Sequence, residues 1–436
     1  MNRTGPYVRR RRIVAGLAVA VVSVATFAAW PSGAEETTSA PGTKTVARPA
    51  ISKTPALSVE ALRDQALKAD VSRAEALRVE SLKVSNAKSG VQVRLPPADH
   101  TVFVRRERLT GGLSPKSVVA SPAGLVTAQN MMYSHTISVF NTDGMLRGTV
   151  NDSVDLSAFG IGGHPGISKG APVEAAFTHD GKHVYVSNYS MYGKGFGPEG
   201  LDSCTPASAP DQSFLYRIDI ARLKIDQVIP VGAVPKYVAI TPDGSTVLVT
   251  NWCSWTMSLV NVKTGKLVAT IPVGGAYPRG IAVTRDSKTA FIAVMGGNRI
   301  VKVNLASRTV APFAYTGNGP RHIVISPDGR YLYVTNNSSG TVSKVNAANG
   351  QVLRTVSTGQ QPRSMAISSD GLAVYVVNYE SSTVSKLRTS DLGLIATAAT
   401  DKHPIGIAYE PRTGSVWVAC YSGSILVFDD SRRAQP

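Results

Sequence analysis

From about residue 100 the chain alternates short apolar runs with turn residues. Between Arg321 and Gly359 the runs RHIVIS, YLYVTNN, GTVSKVN and VLRTVSTG follow one another. Pro-Asp-Gly, Ser-Ser and Ala-Ala-Asn-Gly-Gln separate them, and these are turn formers. The pattern predicts four short strands joined by tight connections. The runs are apolar almost continuously, whereas a sheet with one wet face alternates apolar and polar positions, so both faces of each predicted sheet must be covered. No helical period appears after residue 100, and no parallel βαβ unit is visible.

The same phrase recurs. PKSVVASPAG at Pro115, PVEAAFTHDG at Pro172, PKYVAITPDG at Pro235, PRGIAVTRDS at Pro278, PRHIVISPDG at Pro320, PRSMAISSDG at Pro362 and PIGIAYEPRTG at Pro404 make seven copies. Successive starts lie 57, 63, 43, 42, 42 and 42 residues apart, a period suited to propeller blades. Stacking four-stranded sheets around an axis covers both faces of each and leaves only short edges. The expected fold is therefore an all-β, seven-bladed β-propeller over residues 96–430, with a short tail at 431–436. The last copy supplies only three strands, so residues Thr101 to Leu109 are expected to complete the seventh blade and lock the two ends together.

Charge and composition divide the chain. Of the +17 net charge, about half lies ahead of the repeats, because the first 112 residues hold 18 Lys/Arg against 9 Asp/Glu. Four arginines, Arg9 to Arg12, precede an uncharged run from Ile13 to Trp30. This reads as an export signal over residues 1–34, with cleavage after Ala34 or retention of residues 13–30 as a membrane anchor. No cysteine precedes Cys204, which excludes a lipoprotein anchor. Residues 35–95 form a linker rich in Ala, Ser, Thr, Pro and Lys, with a candidate helix at 57–83. The expected location is outside the cytoplasmic membrane, secreted or anchored, and the expected state is a monomer.

The second strand of the repeat reads YVTN at Tyr333 to Asn336, with variants YVSN at Tyr185, LVTN at Leu248 and YVVN at Tyr375. This resembles the YVTN family of β-propeller repeats. IAVM at Ile292 and WVAC at Trp417 depart from it. The resemblance implies the propeller fold; similar propellers include surface-layer proteins, nucleic-acid binders, and relatives of lactonases and quinoprotein dehydrogenases. Fold does not choose among these activities. The Gly-His and Trp-Asp signature of WD-repeat propellers is absent.

Five copies place a basic residue directly after the leading proline: Lys116, Lys236, Arg279, Arg321 and Arg363. Rotational repetition sets them around the mouth of the central channel, on the face called the top face here, where their field favours an anion. A repeat also inherits its consensus, so arginines that simply cap loop carbonyls are the alternative. His135, Glu174, His322 and His403 form a candidate polar set on the same face, and their convergence on a ligand position would favour metal-assisted hydrolysis. Their spacing matches no metal-ligand pattern, and no metal or cofactor is expected. Phosphate-binding, dinucleotide, EF-hand and serine-nucleophile motifs are absent.

Two insertions, Asn151 to Ala171 and Ser190 to Ser213, enlarge the top face beside blades one to three. Tyr189, Tyr192 and Phe196 either stack on a ligand ring or pack the second insertion onto its blade. Cys204 in that insertion and Cys253 in the equivalent loop of blade three are expected to form a disulfide, with Cys420 left as a buried thiol. The leading functional expectation is a non-enzymatic binding propeller that takes an anionic ligand, nucleic acid or an anionic wall polymer, on its top face. Trp252, Trp255 and Tyr277 are candidate stacking residues for nucleic acid. A lactonase-like hydrolase and a purely structural envelope protein are the alternatives.

Overall fold

The computed structural model describes residues 95–433. The signal at 1–34, the linker to residue 94 and the candidate helix at 57–83 lie outside the described residues. Seven four-stranded antiparallel sheets account for the repeats. Blade three is typical: Pro235–Ile240, Thr246–Asn251, Thr256–Asn261 and Lys266–Pro272 pair in that order from the axis outward. Each inner strand touches those of the two flanking blades, and the inner strand of blade seven, Pro404–Glu410, returns to that of blade one, Pro115–Ala120. Among the described residues the helical elements are four single 3-10 turns, and no helix is long and apolar enough to cross a membrane.

The sequence explains the repetition locally. The Asn that ends the second strand is fully buried in five blades; in four it donates to Thr and Ser at the start of the third, and in blade two Asn188 donates to Phe214 O. Asn251 Nδ2 reaches Thr256 Oγ1 at 3.0 Å and Ser258 Oγ at 2.9 Å, and Asn336 and Asn378 do the same in blades five and six. The first hairpin uses a Ser or Thr hydroxyl that donates to an Asp two residues on. Ser326 with Asp328 and Thr241 with Asp243 show it, and the following Gly329 and Gly244 sit at φ 76° and 71°, a region that favours glycine. Apolar side chains of neighbouring blades interdigitate, as Leu248 and Leu259 of blade three do with Ile281 and Ile292 of blade four. The continuous apolar runs are thus buried on both faces.

Closure follows the expectation. Val104–Leu109 pairs antiparallel with Ser424–Asp429 and supplies the outer strand of blade seven. The pairing continues past the expected domain end, because Thr101 bridges Arg433 and Val102 N donates to Arg432 O at 2.6 Å. Lys386 and Asp430 lock this seam. Both are fully buried, and Lys386 Nζ donates to Asp430 Oδ1 at 2.6 Å, to Thr101 Oγ1 at 2.7 Å and to Thr101 O at 3.2 Å.

Candidate functional site at the channel mouth

In every blade the register between the inner and second strands slips just after the leading proline. An extra residue at such a bulge bends the strand and re-aims its side chain. The residue at this position is Lys116, Val173, Lys236, Arg279, Arg321, Arg363 and Ile405 around the seven blades. The loops on this face are tied together, since the segment entering each inner strand accepts from the loop after the second strand. Trp252 N to Val234 O at 2.9 Å and Tyr379 N to Gln361 O at 3.1 Å are examples. Val234, Tyr277, Gln361 and His403, each just before a leading proline, are held at φ 53–62°, so the mouth is built on strained backbone.

The structure brings the five basic residues together. Burial, and then repulsion from Lys236, Arg279, Arg321 and Arg363, holds the Lys116 ammonium well below the usual lysine range. Burial likewise lowers Arg321, with Arg279 and Arg363 adding to the effect. Lys236, Arg279 and Arg321 are only 5%, 7% and 9% exposed, and Lys116 and Arg363 are half-buried. Of the five, Lys236 alone has an ion pair among the described residues: its Nζ donates to Asp202 Oδ1 at 3.0 Å. Burial pushes Lys236 down to about 7 despite that partner. Among the described residues none of the five side chains donates to a loop carbonyl, and the buried Nε of Arg321 and of Arg363 has no partner. Aromatic rings support three of the cations: Lys116 lies 5.1 Å from the Tyr421 ring centre, Lys236 4.1 Å from Tyr189, and Arg363 3.4 Å from Tyr379.

The candidate polar set does not converge as the hydrolase expectation required. His322 is not on a top-face connection: it lies within the inner strand Pro320–Ile325 and faces the channel, because the bulge turns the residue after Arg321 inward. Glu174 faces the same cavity from blade two. His135 is held elsewhere, its Nδ1 2.7 Å from Gly170 O and 3.3 Å from Asp152 Oδ2. His403 stacks on Tyr379 at 4.5 Å with Glu380 3.8 Å away. One cluster with ligand-like proximity exists among the described residues, His183, Asp219 and Asp226, at the opposite end of the blade-two strands. Arg217 clamps both Asp226 oxygens there, at 2.8 and 2.9 Å.

A second tier, of which sequence reading singled out only Glu174 and His322, lies beneath the ring. The residues next along the inner strands are Ser117, Glu174, Tyr237, Gly280, His322, Ser364 and Gly406, and all but Gly280 line a central cavity of about 230 Å³. The glycines let neighbouring strands approach: a Cβ on Gly406 would lie 2.6 Å from Ser117 Cα. Burial raises Glu174 to about 7, with Arg279 opposing the shift. Burial, then Arg279 and Arg321, pushes His322 down to about 3, so its imidazole is neutral beside the Tyr237 hydroxyl at 3.3 Å. The signal in the sequence was the variety at this position, where the preceding one is mostly basic.

The insertions pack mainly on the scaffold. Cys204 and Cys253 form the expected disulfide, with Cα atoms 5.3 Å apart, and Cys420 is a buried free thiol. The bridge fixes the second insertion so that Asp202 meets Lys236 and Tyr189, whose hydroxyl donates to it at 2.8 Å. Phe196 stacks on His164 at 3.8 Å, and Trp252 stacks on Tyr277 at 4.6 Å while its Nε1 donates to Asp202 O.

The fold and the ring define a seven-bladed β-propeller with a cationic channel mouth. Two family models match parts of it: the cytochrome D1 heme domain over residues 320–429, and the seven-bladed lactonase propeller over residues 281–358. No curated protein matches. Among solved structures, hydrazine synthase of Kuenenia stuttgartiensis is similar at 19% identity and a TM-score of 0.57, over 73% of this chain and 96% of that one. A chain of the mitotic checkpoint complex is similar at 13% identity and a TM-score of 0.60, over 80% of this chain and 95% of that one. At these identities the likeness concerns the fold alone.

Proposed function

We propose that this chain is an exported YVTN-type propeller that binds an anionic ligand at its channel mouth, nucleic acid or an anionic wall polymer being the candidate partners. The observation that carries the reading is the cluster of five buried or half-buried cations with a single ion pair among them. An unpaired buried charge costs on the order of several kcal/mol, so a fold that keeps Arg279 and Arg321 buried without an ion pair beside the half-buried Lys116 and Arg363 stores energy that an incoming anion releases. The alternative of a structural envelope protein leaves this cost without a purpose. The heme named in one family match does not fit inside the channel, because a cavity of about 230 Å³ is smaller than the ~300–1,000 Å³ of sites for drug-sized ligands.

The test is fluorescence anisotropy of the full-length protein against labelled single-stranded DNA and a labelled polyol-phosphate wall polymer at low and moderate salt. A variant carrying Lys116→Gln, Arg321→Gln and Arg363→Gln is measured beside it. Salt-sensitive binding that the variant loses supports the ring as the anion site. Equal binding by both proteins, or none by either, refutes it. The lactonase match supports a second reading, hydrolysis with Glu174 as proton acceptor near neutral pH. Lactone turnover abolished by Glu174→Gln would favour that reading over simple binding.

A further inference from the structure

The chemistry of the two tiers specifies more than a negative charge. Four cations without ion pairs call for a group bearing more than one charge. A terminal phosphate carries about −1.5 to −2 charges near neutrality on three acceptor oxygens, which suits arginine forks better than a single carboxylate does. Neither Arg321 nor Arg363 donates to an oxygen among the described residues, which leaves guanidinium N–H groups for such oxygens.

Glu174 lies one residue further along its strand and is 8% exposed. Within the protein it accepts a long bond from Ala175 N at 3.4 Å, while the neighbouring Ser117 hydroxyl donates to Gln129 Oε1 at 2.6 Å. A carboxylate has about four lone-pair positions, so acceptor capacity remains toward the cavity. An acceptor inside a cationic well repels a second phosphate and attracts a donor. An ammonium group would be opposed by the five cations, whereas a neutral hydroxyl would not. Tyr237, Ser117, Ser364 and His322 add polar groups to a wall otherwise formed by apolar side chains such as Val118, Val324 and Met365.

We infer that the channel takes a compact, hydroxyl-bearing phosphate ester, with the phosphate on Arg321 and Arg363 and a ligand hydroxyl donating to Glu174. This rests on the anion-binding reading above and names the ligand class for that site. Glu174 is then the specificity-determining residue, separating polyol phosphates from simple alkyl phosphates. The end of a polyol-phosphate polymer and a free polyol phosphate present the same group, and the ring would meet either from the top face.

Isothermal titration of the full-length protein with glycerol 3-phosphate and with propyl phosphate, at one ionic strength and at pH 8 where the Glu174 carboxyl is ionised, tests this directly. The wild type should bind glycerol 3-phosphate about tenfold more tightly, the worth of one hydrogen bond to a charged group. Glu174→Ala should abolish that difference while binding propyl phosphate at least as tightly as the wild type, since the carboxylate no longer repels it. Arg321→Gln with Arg363→Gln should weaken both ligands by about tenfold or more. Equal affinities in the wild type overturn the inference and leave anion binding standing if the labelled polymers still bind. Absence of binding by both phosphates and both polymers overturns the two readings together. A preference that survives in Glu174→Ala, checked for a cooperative melt, removes Glu174 from the assignment. The wild-type comparison needs no variant to fold.

Discussion

The seam that closes the propeller gives the sharpest test of how the ring is held. Lys386 and Asp430 are both fully buried, and Asp430 also accepts from the Tyr375 hydroxyl. Burial raises the Asp430 carboxyl and lowers the Lys386 ammonium, so each is costly alone and is sustained by the other. Lys386→Met leaves the carboxylate without its cation and Thr101 O without its lysine donor. Removing one partner of a buried pair costs about 3–5 kcal/mol. Lys344 occupies the same strand position in blade five and supplies an internal control. Its Nζ donates to Thr389 O and Ser390 O, both at 2.9 Å, and has no ion pair among the described residues. Lys344→Met should cost only about 1–2 kcal/mol, because Thr389 O keeps the Tyr333 hydroxyl as a donor and only Ser390 O loses its partner.

Urea unfolding followed by tryptophan fluorescence measures both variants, since Trp417 lies fully buried in blade seven. Hydrogen exchange locates the damage. In Lys386→Met the amides of Val104–Leu109 should exchange faster than those of blades three to five, whereas Lys344→Met should leave that strand protected. Lys386→Met with Asp430→Asn removes the stranded charge, keeps an acceptor for Tyr375, and should recover at least about 2 kcal/mol. The single-variant deficit should also shrink as pH falls, because the raised Asp430 carboxyl takes up a proton and becomes neutral. A deficit below about 1 kcal/mol, with exchange in Val104–Leu109 unchanged, would refute the claim that this pair closes the ring.

Two further outcomes follow from the site. Replacing Cys204 and Cys253 by Ala should cost about 2–4 kcal/mol for a bridge spanning 49 residues and should expose residues 190–213 to proteolysis; unchanged cleavage would remove the bridge as the tether of that insertion. Glu174 titrates near 7 in the folded protein against an ordinary 4.5, so the native state holds its proton more tightly than the unfolded chain and stability falls as pH rises across that window. Glu174→Gln should therefore match the wild type near pH 4.5 and exceed it by up to about 3 kcal/mol at pH 8, and parallel pH profiles for the two would refute the burial argument.

The architecture was legible because a propeller repeats its physics. A buried Asn that must bond Thr and Ser on the next strand, a Ser/Thr-to-Asp hairpin, and runs covered on both faces leave the same marks in blade after blade. Even the seam was readable, from a last copy lacking one strand. The basic ring was legible for the same reason. The placement of His322 was not, because alternation along a strand sets successive residues on opposite sides, and only the bulge after each leading proline turns the residue after Arg321 into the channel. Ser117, Tyr237 and Ser364 escaped notice for that reason too. His135 and His403 looked alike in sequence as loop histidines, yet Asp152 and Gly170 engage the first while Tyr379 stacks on the second.

The difference between the two tiers bears on function more than either tier alone. Inheritance of a consensus accounts for a basic residue recurring at the first position, and by itself it would explain the ring without any ligand. It does not account for the next position, where the seven blades carry Ser, Glu, Tyr, Gly, His, Ser and Gly on an otherwise uniform frame. Nor does closure of the fold require a carboxylate there, since the small residues of blades one, four, six and seven pack the same inner strand. Glu174 and His322 instead hold proton states set by burial and by the cations above them, the carboxyl raised and the imidazole neutral. A repeat that is constant where it builds the blade and individual where it faces the axis carries its asymmetry into the channel beneath the ring, below the two insertions that set blades one to three apart on the top face.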